Sequence, residues 1–283
     1  VVTMKDIKLP DDIAITVGSA IKEDLGGGDI TASLIPEDQT ACATVISREA
    51  AVLCGTAWFD EVFKQIDPTV AIAWHQSDGD TLVPDHPVCR LKGTARSLLS
   101  GERTALNFLQ LLSGTATTTR RYAGLLQGTQ TRLLDTRKTI PGLRSAQKYA
   151  VTCGGGCNHR MGLFDAILIK ENHVEAAGSI TQAIRLARSL HDHVEVEVED
   201  LDQLQLALAA GADRIMLDNF SLEGIAAAVR LTDGRAQLEV SGGIEADLLQ
   251  SLGATGVDFI SVGALTKNVH AIDFTMRIVK NGS

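Results

Sequence analysis

A rhythm that begins near residue 130 constrains this chain more than any other feature. Six short apolar runs follow one another: Arg132-Leu-Leu-Asp-Thr136, Ala166-Ile-Leu-Ile-Lys170, Val194-Glu-Val-Glu-Val198, Arg214-Ile-Met-Leu-Asp218, Ala236-Gln-Leu-Glu-Val-Ser241 and Asp258-Phe-Ile-Ser-Val262. Each passes through a polar or glycine cluster into a helical period. Ile180, Ala183, Ile184, Ala187 and Leu190 show that period best, sharing one face. The later runs recur at about 20–25 residues, the length of a strand, a helix and two short loops. Repeated strand–helix–strand units build either an α/β barrel or a doubly wound sheet. No Gly-x-Gly-x-x-Gly follows the first run, which counts against the dinucleotide-binding sheet. The expectation is an open, incomplete α/β barrel.

The first half reads differently. Residues 13–25 and 56–66 have helical patterning, Val70 to Trp74 alternates as a strand does, and Ser77-Asp-Gly-Asp80 signals a turn. Pro84, Pro87 and Gly93 punctuate the surrounding stretch. This predicts an α+β layer. A long helical stretch follows from Ser100 to Gln127, with Ala105, Leu106, Leu109 and Leu112 as its apolar stripe and a break expected at Gly114. The predicted division is an N-terminal α+β domain over 1–112 and an α/β barrel domain over 113–283, whose last helix packs back on the first domain.

Composition narrows the function classes. With 45% apolar and 22% charged residues, the chain suits a globular protein with a sizeable core. No stretch of 18 apolar residues offers a membrane span. The net charge of −9, from 26 basic and 35 acidic residues, argues against nucleic acid or a membrane surface as partner. Five scattered cysteines fit reduced thiols and a cytoplasmic location. Only Cys153 and Cys157 lie close in sequence, without the partners a zinc site needs. The opening Val1-Val-Thr-Met-Lys-Asp6 has no basic-then-apolar leader pattern, and the expectation is a chain trimmed ahead of Val1.

In α/β barrels the chemistry sits at the carboxyl ends of the strands. After the first run come Asp135, Thr136, Arg137 and Lys138; after the second, Lys170-Glu-Asn-His173; between them lie His159 and Arg160. Glu195, Glu197 and Glu199 alternate along the third run, and Asp218-Asn219 closes the fourth. Ser241-Gly242-Gly243 and Gly263-Ala264 close the last two. Cationic ends suit carboxylates or phosphates on a substrate. Two carboxylates at one mouth suit Mg2+ shared with substrate oxygens. Small residues let backbone amides approach a phosphate. Each element alone has a plainer explanation: a solvated loop for Arg137-Lys138, an exposed edge for the alternating glutamates, a helix cap for Asp218-Asn219, an ordinary turn for Ser241-Gly-Gly243 and a surface histidine for His159. Their joint order is what points to a site.

The motifs resemble quinolinate phosphoribosyltransferase. The likeness is carried by Gly101-Glu-Arg-Thr-Ala-Leu-Asn107, Leu134-Asp-Thr-Arg-Lys-Thr-Ile-Pro-Gly-Leu-Arg144, Gly154-Gly-Gly-Cys-Asn-His-Arg160 and Ile169-Lys-Glu-Asn-His173. Val194–Val198, Met216-Leu-Asp-Asn-Phe220 and Ile260-Ser-Val-Gly-Ala-Leu-Thr266 continue it, with Glu23-Asp-Leu-Gly26 and Gly28-Asp-Ile-Thr31 ahead of them. The resemblance implies an N-terminal α+β domain, an open α/β barrel, and a homodimer whose active site is shared between subunits. The implied reaction joins quinolinate to phosphoribosyl pyrophosphate with Mg2+, giving nicotinate mononucleotide, pyrophosphate and CO2 on the route to NAD. By the same resemblance, Arg137, His159, Arg160 and Lys170 bind quinolinate, and Arg103 reaches it across the dimer. Lys138 meets quinolinate or pyrophosphate. Glu197 and Asp218 lie near ribose and Mg2+, and with Lys138 they form the catalytic set. Ser241, Gly242, Gly243, Gly263 and Ala264 hold the 5′-phosphate. Glu199 stands where some members carry Asp, which keeps the charge and lengthens the reach.

Three other readings compete. A nicotinate phosphoribosyltransferase would need fewer cations for its single carboxylate. A binding protein without activity would not need Glu197 and Asp218. A biotinyl or lipoyl carrier would need a lysine on a hairpin tip, and none occurs between Lys64 and Lys92.

Overall fold

The computed structural model describes residues 8–279, so the opening hexapeptide lies outside the described residues. In chain order the elements are α1 (Ile13–Leu25), β1 (Thr40–Ser47), β2 (Ala51–Val52), α2 (Thr56–Ile66), β3 (Ala71–Trp74), β4 (Thr81–Leu82), β5 (Pro87–Thr94) and α3 (Ala95–Leu125). The second half runs β6 (Arg132–Leu134), α4 (Arg144–Gly154), β7 (Ile167–Ile169), α5 (Glu171–Ala177), α6 (Ile180–Arg188), β8 (Val194–Val198), α7 (Leu201–Ala209) and β9 (Arg214–Asp218). It closes with α8 (Leu222–Thr232), β10 (Gln237–Ser241), α9 (Leu249–Ala254), β11 (Phe259–Ser261), α10 (Ala264–Lys267) and β12 (Phe274–Val279). Two compact units divide these elements. One holds the described residues up to 120, with 140–155 and those from 268 on; the other holds 121–139 and 156–267.

The first unit is built on a four-stranded antiparallel sheet in the order β12-β1-β5-β3. Strand β1 alternates because Ala41, Ala43 and Val45 face the core. Helix α2 buries Trp58, Phe59, Val62 and Phe63 on one stripe. Removing each large aromatic from water contributes on the order of 2–3 kcal/mol. The turn expected at Ser77–Asp80 is present, with the Asp80 amide donating to the Ser77 carbonyl at 3.0 Å. The element nearest the C-terminus is strand β12, paired antiparallel with β1, and not the helix expected there. Phe274 and Met276 are buried on either side of Thr275, the alternation of a strand at a sheet edge.

Helix α3 corrects a second expectation, because it runs through Gly114 without a break. The glycine is required by close approach: a Cβ there would lie 2.1 Å from the His270 carbonyl oxygen. The missing side chain, rather than a broken helix, is what the sequence encoded.

The second unit contains one six-stranded parallel sheet, ordered β6-β11-β10-β9-β8-β7. Strands β6 and β7 are its two edges, so the sheet is an open α/β barrel and does not close. All six apolar runs became its strands. Crossover helices cover its outer face, as α6 does with Ile180, Ala183, Ile184 and Ala187 buried. Leu190 does not join that face; the helix ends at Arg188 and Leu190 is 79% exposed. Three helices open on side-chain caps, Ser179 for α6, Asp200 for α7 and Ser221 for α8, each accepting a backbone amide. Such caps stabilise by about 1 kcal/mol each. Ser221, not Asp218-Asn219, caps α8, which frees the acid for other work. No described helix is long and apolar enough to cross a membrane.

Replacing Gly114 with alanine ordinarily stabilises a helix interior. Here the added methyl meets a backbone oxygen, so Gly114→Ala should destabilise by about 2–3 kcal/mol, as overpacking does. A lowered midpoint in denaturant titration checks this.

Candidate active site

A cavity of ≈ 270 Å³ opens at the carboxyl ends of the parallel strands. Thr136, Arg137 and Lys138 enter it from the loop after β6, and His159 and Arg160 from the following loop. Lys170 comes from the end of β7, Glu197 from β8, and Met216 and Asp218 from β9. Glu239, Ser241 and Gly242 belong to β10 and its end, and Ser261 to β11. Parallel strands with right-handed crossovers deliver all these ends to one side, which is why residues over 100 positions apart share one cavity.

Charge is crowded here. Burial, and then the charge of Arg137, press the Arg160 guanidinium below its usual range. Arg160 also donates to the Ala166 carbonyl at 3.3 Å. Lys170 forms an ion pair with Glu197. Burial raises the Asp218 carboxyl, and the Glu197 charge adds to the rise; Lys170, Lys138 and the Asn219 amide at 2.9 Å work against it. Two carboxylates and two ammonium groups therefore sense one another across the cavity.

The loop that carries His159 is fixed from below. Buried Asp135 accepts the His159 amide at 2.9 Å, and the Cys157 amide donates to the Leu133 carbonyl at 2.8 Å. Lys138 is aimed by three features: its amide donates to Thr136 Oγ1 at 3.1 Å, its carbonyl accepts the Thr266 hydroxyl at 2.8 Å, and its stem passes over Gly263. A Cβ on Gly263 would lie 2.8 Å from Lys138 Cδ.

A buried layer of charge lies at the bottom of the cavity. His159 Nε2 is 3.2 Å from Glu195 Oε2 and 3.6 Å from Glu239 Oε1. Arg214 Nη1 is 3.5 Å from Glu239 Oε2, with its guanidinium 4.1 Å from the Phe259 ring centroid. Burial opposes charge on His159, but the hydrogen bond and charge of Glu195, with Glu239 behind, hold it above its ordinary value. Burial, then the Glu195 charge, pushes the Glu239 carboxyl up to about 7.

Of the residues singled out in the sequence, Arg137, Lys138, His159, Arg160, Lys170, Glu197, Asp218, Ser241 and Gly242 line this cavity. Gly243, Gly263 and Ala264 do not, although Gly263 shapes the path of Lys138. Arg103 lies on α3 in the first unit and is not a lining residue. Glu199 is exposed and does not line this cavity; it lines a second one with Glu171 and Glu175, and Glu197 belongs to both. His159 is not a surface residue; its side chain is 8% exposed. Cys153 groups with Cys54 and Asp78 in the first unit, and none of the five cysteines forms a disulfide. Glu239 is the functional candidate that periodicity passed over, and Glu195, read with Glu197 and Glu199 as one alternating face, is the one it left without a role. Their signal was a carboxylate inside an apolar run, at a position facing the barrel interior. The larger cleft of the first unit, ≈ 640 Å³, is lined by Asp12, Glu23 and Asp24 without any Lys or Arg and does not suit an anion.

An open α/β barrel with basic and acidic residues converging at its strand ends defines an enzyme acting on an anionic substrate. Comparison with known proteins makes this specific. The profile described as quinolinate phosphoribosyl transferase, C-terminal domain, matches residues 115–277, and its N-terminal counterpart matches residues 29–113. The chain belongs to the quinolinate phosphoribosyltransferase family. It is 43% identical, over 90% of each chain, to the probable nicotinate-nucleotide pyrophosphorylase (carboxylating) of Bacillus subtilis. It is 38% identical to the chloroplastic nicotinate-nucleotide pyrophosphorylase (carboxylating) of rice, Oryza sativa, over 94% of this chain and 78% of that one. The solved nicotinate-nucleotide pyrophosphorylase of Francisella tularensis superposes with a TM-score of 0.94 at 50% identity, covering 96% of this chain and 98% of the other.

Gly263→Ala should displace the Lys138 stem while leaving the fold intact. Calorimetric titration with inorganic pyrophosphate should then show affinity lowered roughly tenfold, as small misplacements of a binding group do.

Proposed function

We propose that this protein transfers a phosphoribosyl group from phosphoribosyl pyrophosphate to quinolinate and decarboxylates the product. Nicotinate mononucleotide, pyrophosphate and CO2 result, within NAD biosynthesis. The observation that carries this reading is the meeting of Arg137, Arg160, Lys138 and Lys170 with Glu197 and Asp218 in one cavity. Four cations exceed the need of a monocarboxylate such as nicotinate. They suit a ring with two carboxylates beside a pyrophosphate.

The chemistry follows from those charges. The quinolinate ring nitrogen is a weak nucleophile, so ribose C1 gains positive charge as pyrophosphate departs. Arg137 and Arg160, with forked geometry, hold the two carboxylates and fix the nitrogen towards C1. His159 lies beneath them, at the bottom of the same pocket. Lys138 and Lys170 stabilise anionic oxygen, Lys138 on the leaving pyrophosphate. Glu197 and Asp218 face the developing sugar cation. Ser241 and Gly242 receive the 5′-phosphate, with Gly243, Gly263 and Ala264 around them. Once the ring nitrogen is quaternised it stabilises the carbanion left at C2, so decarboxylation needs orientation and no covalent protein nucleophile.

Glu197 and Asp218 also fit Mg2+: both offer hard oxygen donors to one cavity, and the Glu197 charge raises the Asp218 carboxyl. Bound there, Mg2+ would neutralise charge on the pyrophosphate. We take the active unit to be a homodimer, with Arg103 of one subunit completing the quinolinate site of the other. Cysteines without disulfides suit the cytoplasm.

Assay with quinolinate and phosphoribosyl pyrophosphate should release CO2 and pyrophosphate together, and turnover of nicotinate alone would reject the reading. Asp218→Ala should lower kcat by about 100-fold or more while changing quinolinate affinity little, the pattern for a group acting on the transition state. For the shared site, Arg103→Ala and Lys170→Ala should each be nearly inactive, and mixing them should restore part of the activity in heterodimers. Mixtures as inactive as the parents would count against a shared site.

A further inference from the structure

Barrel interiors are usually filled with layers of branched apolar side chains. The layer beneath this cavity departs from that rule: Glu195 from β8, Arg214 from β9 and Glu239 from β10 point into it. The Glu239 side chain is fully buried, and its oxygens have only long or poorly aligned partners: Arg214 Nη1 at 3.5 Å, His159 Nε2 at 3.6 Å and the Ser261 hydroxyl. A buried charge without close partners is costly, so the layer is retained for a reason other than stability. Its charges do not cancel. Two carboxylates face one guanidinium, and one added proton completes the balance. Two seats exist for that proton, the Glu239 carboxyl and the His159 ring, 3.6 Å apart. The carboxylates favour the ring; the Arg160 amide, which donates to His159 Nδ1 at 2.7 Å, favours Glu239.

We propose that Glu239 is a positioning residue for quinolinate capture, fixing the His159 ring from below and forming with it one proton seat that fills from solvent when the dianion binds. The proposal rests on the quinolinate reading above and deepens it. It assigns His159 a charge that depends on the layer beneath, unlike the permanent charges of Arg137 and Arg160. The groups facing His159 are Glu195, Glu239 and Arg214 from the three strands, with Arg160 next to it in the chain. The directions agree with a proton seat there: the Glu239 carboxyl and the His159 ring are each raised above their ordinary values, chiefly by burial for the acid and by Glu195 for the ring. A metal ion on His159, Glu195 and Glu239, whose ligand atoms lie within 4.8 Å of one another, is the rival. Arg214 already supplies positive charge there and disfavours it.

The test uses the full chain, labelled with 15N-histidine, with His159→Asn identifying the signal. In the free wild-type protein, His159 should titrate above the ordinary 6.5, and Glu239→Gln should lower its midpoint by about one pH unit. Quinolinate titrated calorimetrically near pH 8, in buffers of different ionisation enthalpy, should bind with proton uptake. Glu239→Gln should abolish the uptake and raise KM for quinolinate about tenfold, while KM for phosphoribosyl pyrophosphate changes less than about twofold. An unchanged His159 midpoint in the variant, or equal losses for both substrates, would overturn the proposal. Should Glu239→Gln not fold, the wild type decides alone: a midpoint at or below 6.5, or binding without proton uptake, sinks it. Stoichiometric transition metal lost on His159→Asn would also overturn it. A wild type that binds no quinolinate would reject the substrate reading, and the His159 titration of the free protein would still judge the layer.

Discussion

Like charges held together in a half-buried space are the constraint on which this structure turns. Burial and the charge of Arg137 weaken the hold of Arg160 on its proton, and Lys138 and Lys170 share their cavity. Such an arrangement is unfavourable in an empty protein and becomes favourable when an anion enters. Glu197 and Asp218 repeat the argument with opposite sign, for a cation or a developing positive charge. The fold supplies the restraint. Short strands, capped helices and tight loops keep these side chains from relaxing apart.

That restraint is built in tiers. The outermost is the parallel sheet, whose apolar runs are buried under amphipathic helices such as α6. Inside it, Asp135 fastens the loop of His159, while Thr136, Thr266 and Gly263 direct Lys138. At the bottom, where an apolar plug would stabilise more, Glu195, Arg214 and Glu239 carry charge. The open edge between β6 and β7 fits the same view, since the loops after these two strands carry Arg137, Lys138 and Lys170.

The two misreadings of local pattern share a cause. Gly114 looked like a helix breaker because propensity describes an isolated helix, whereas the residue is dictated by the His270 carbonyl that approaches it. The C-terminal segment looked helical and is strand β12, because β1 offers it an edge to pair with. In both, the deciding partner is far away in sequence. Glu239 was overlooked, and Glu195 left without a role, for a related reason. An acid inside an apolar run is ambiguous until the barrel interior has defined which face is inward.

The sequence by itself determined the alternation of strand and helix from residue 130, the strand ends where chemistry collects, and the family, because apolar periodicity and long motifs are local and linear. It also placed Arg137, Lys138, His159, Arg160, Lys170, Glu197 and Asp218 at those ends. Only the tertiary structure decided that Glu199 leaves the group, that Gly263 serves Lys138 by yielding space, and that buried acids lie beneath His159. Those facts depend on distances between residues remote along the chain, and no spacing rule carries them. Packing alone brings such groups within reach and removes the water that would otherwise separate their charges.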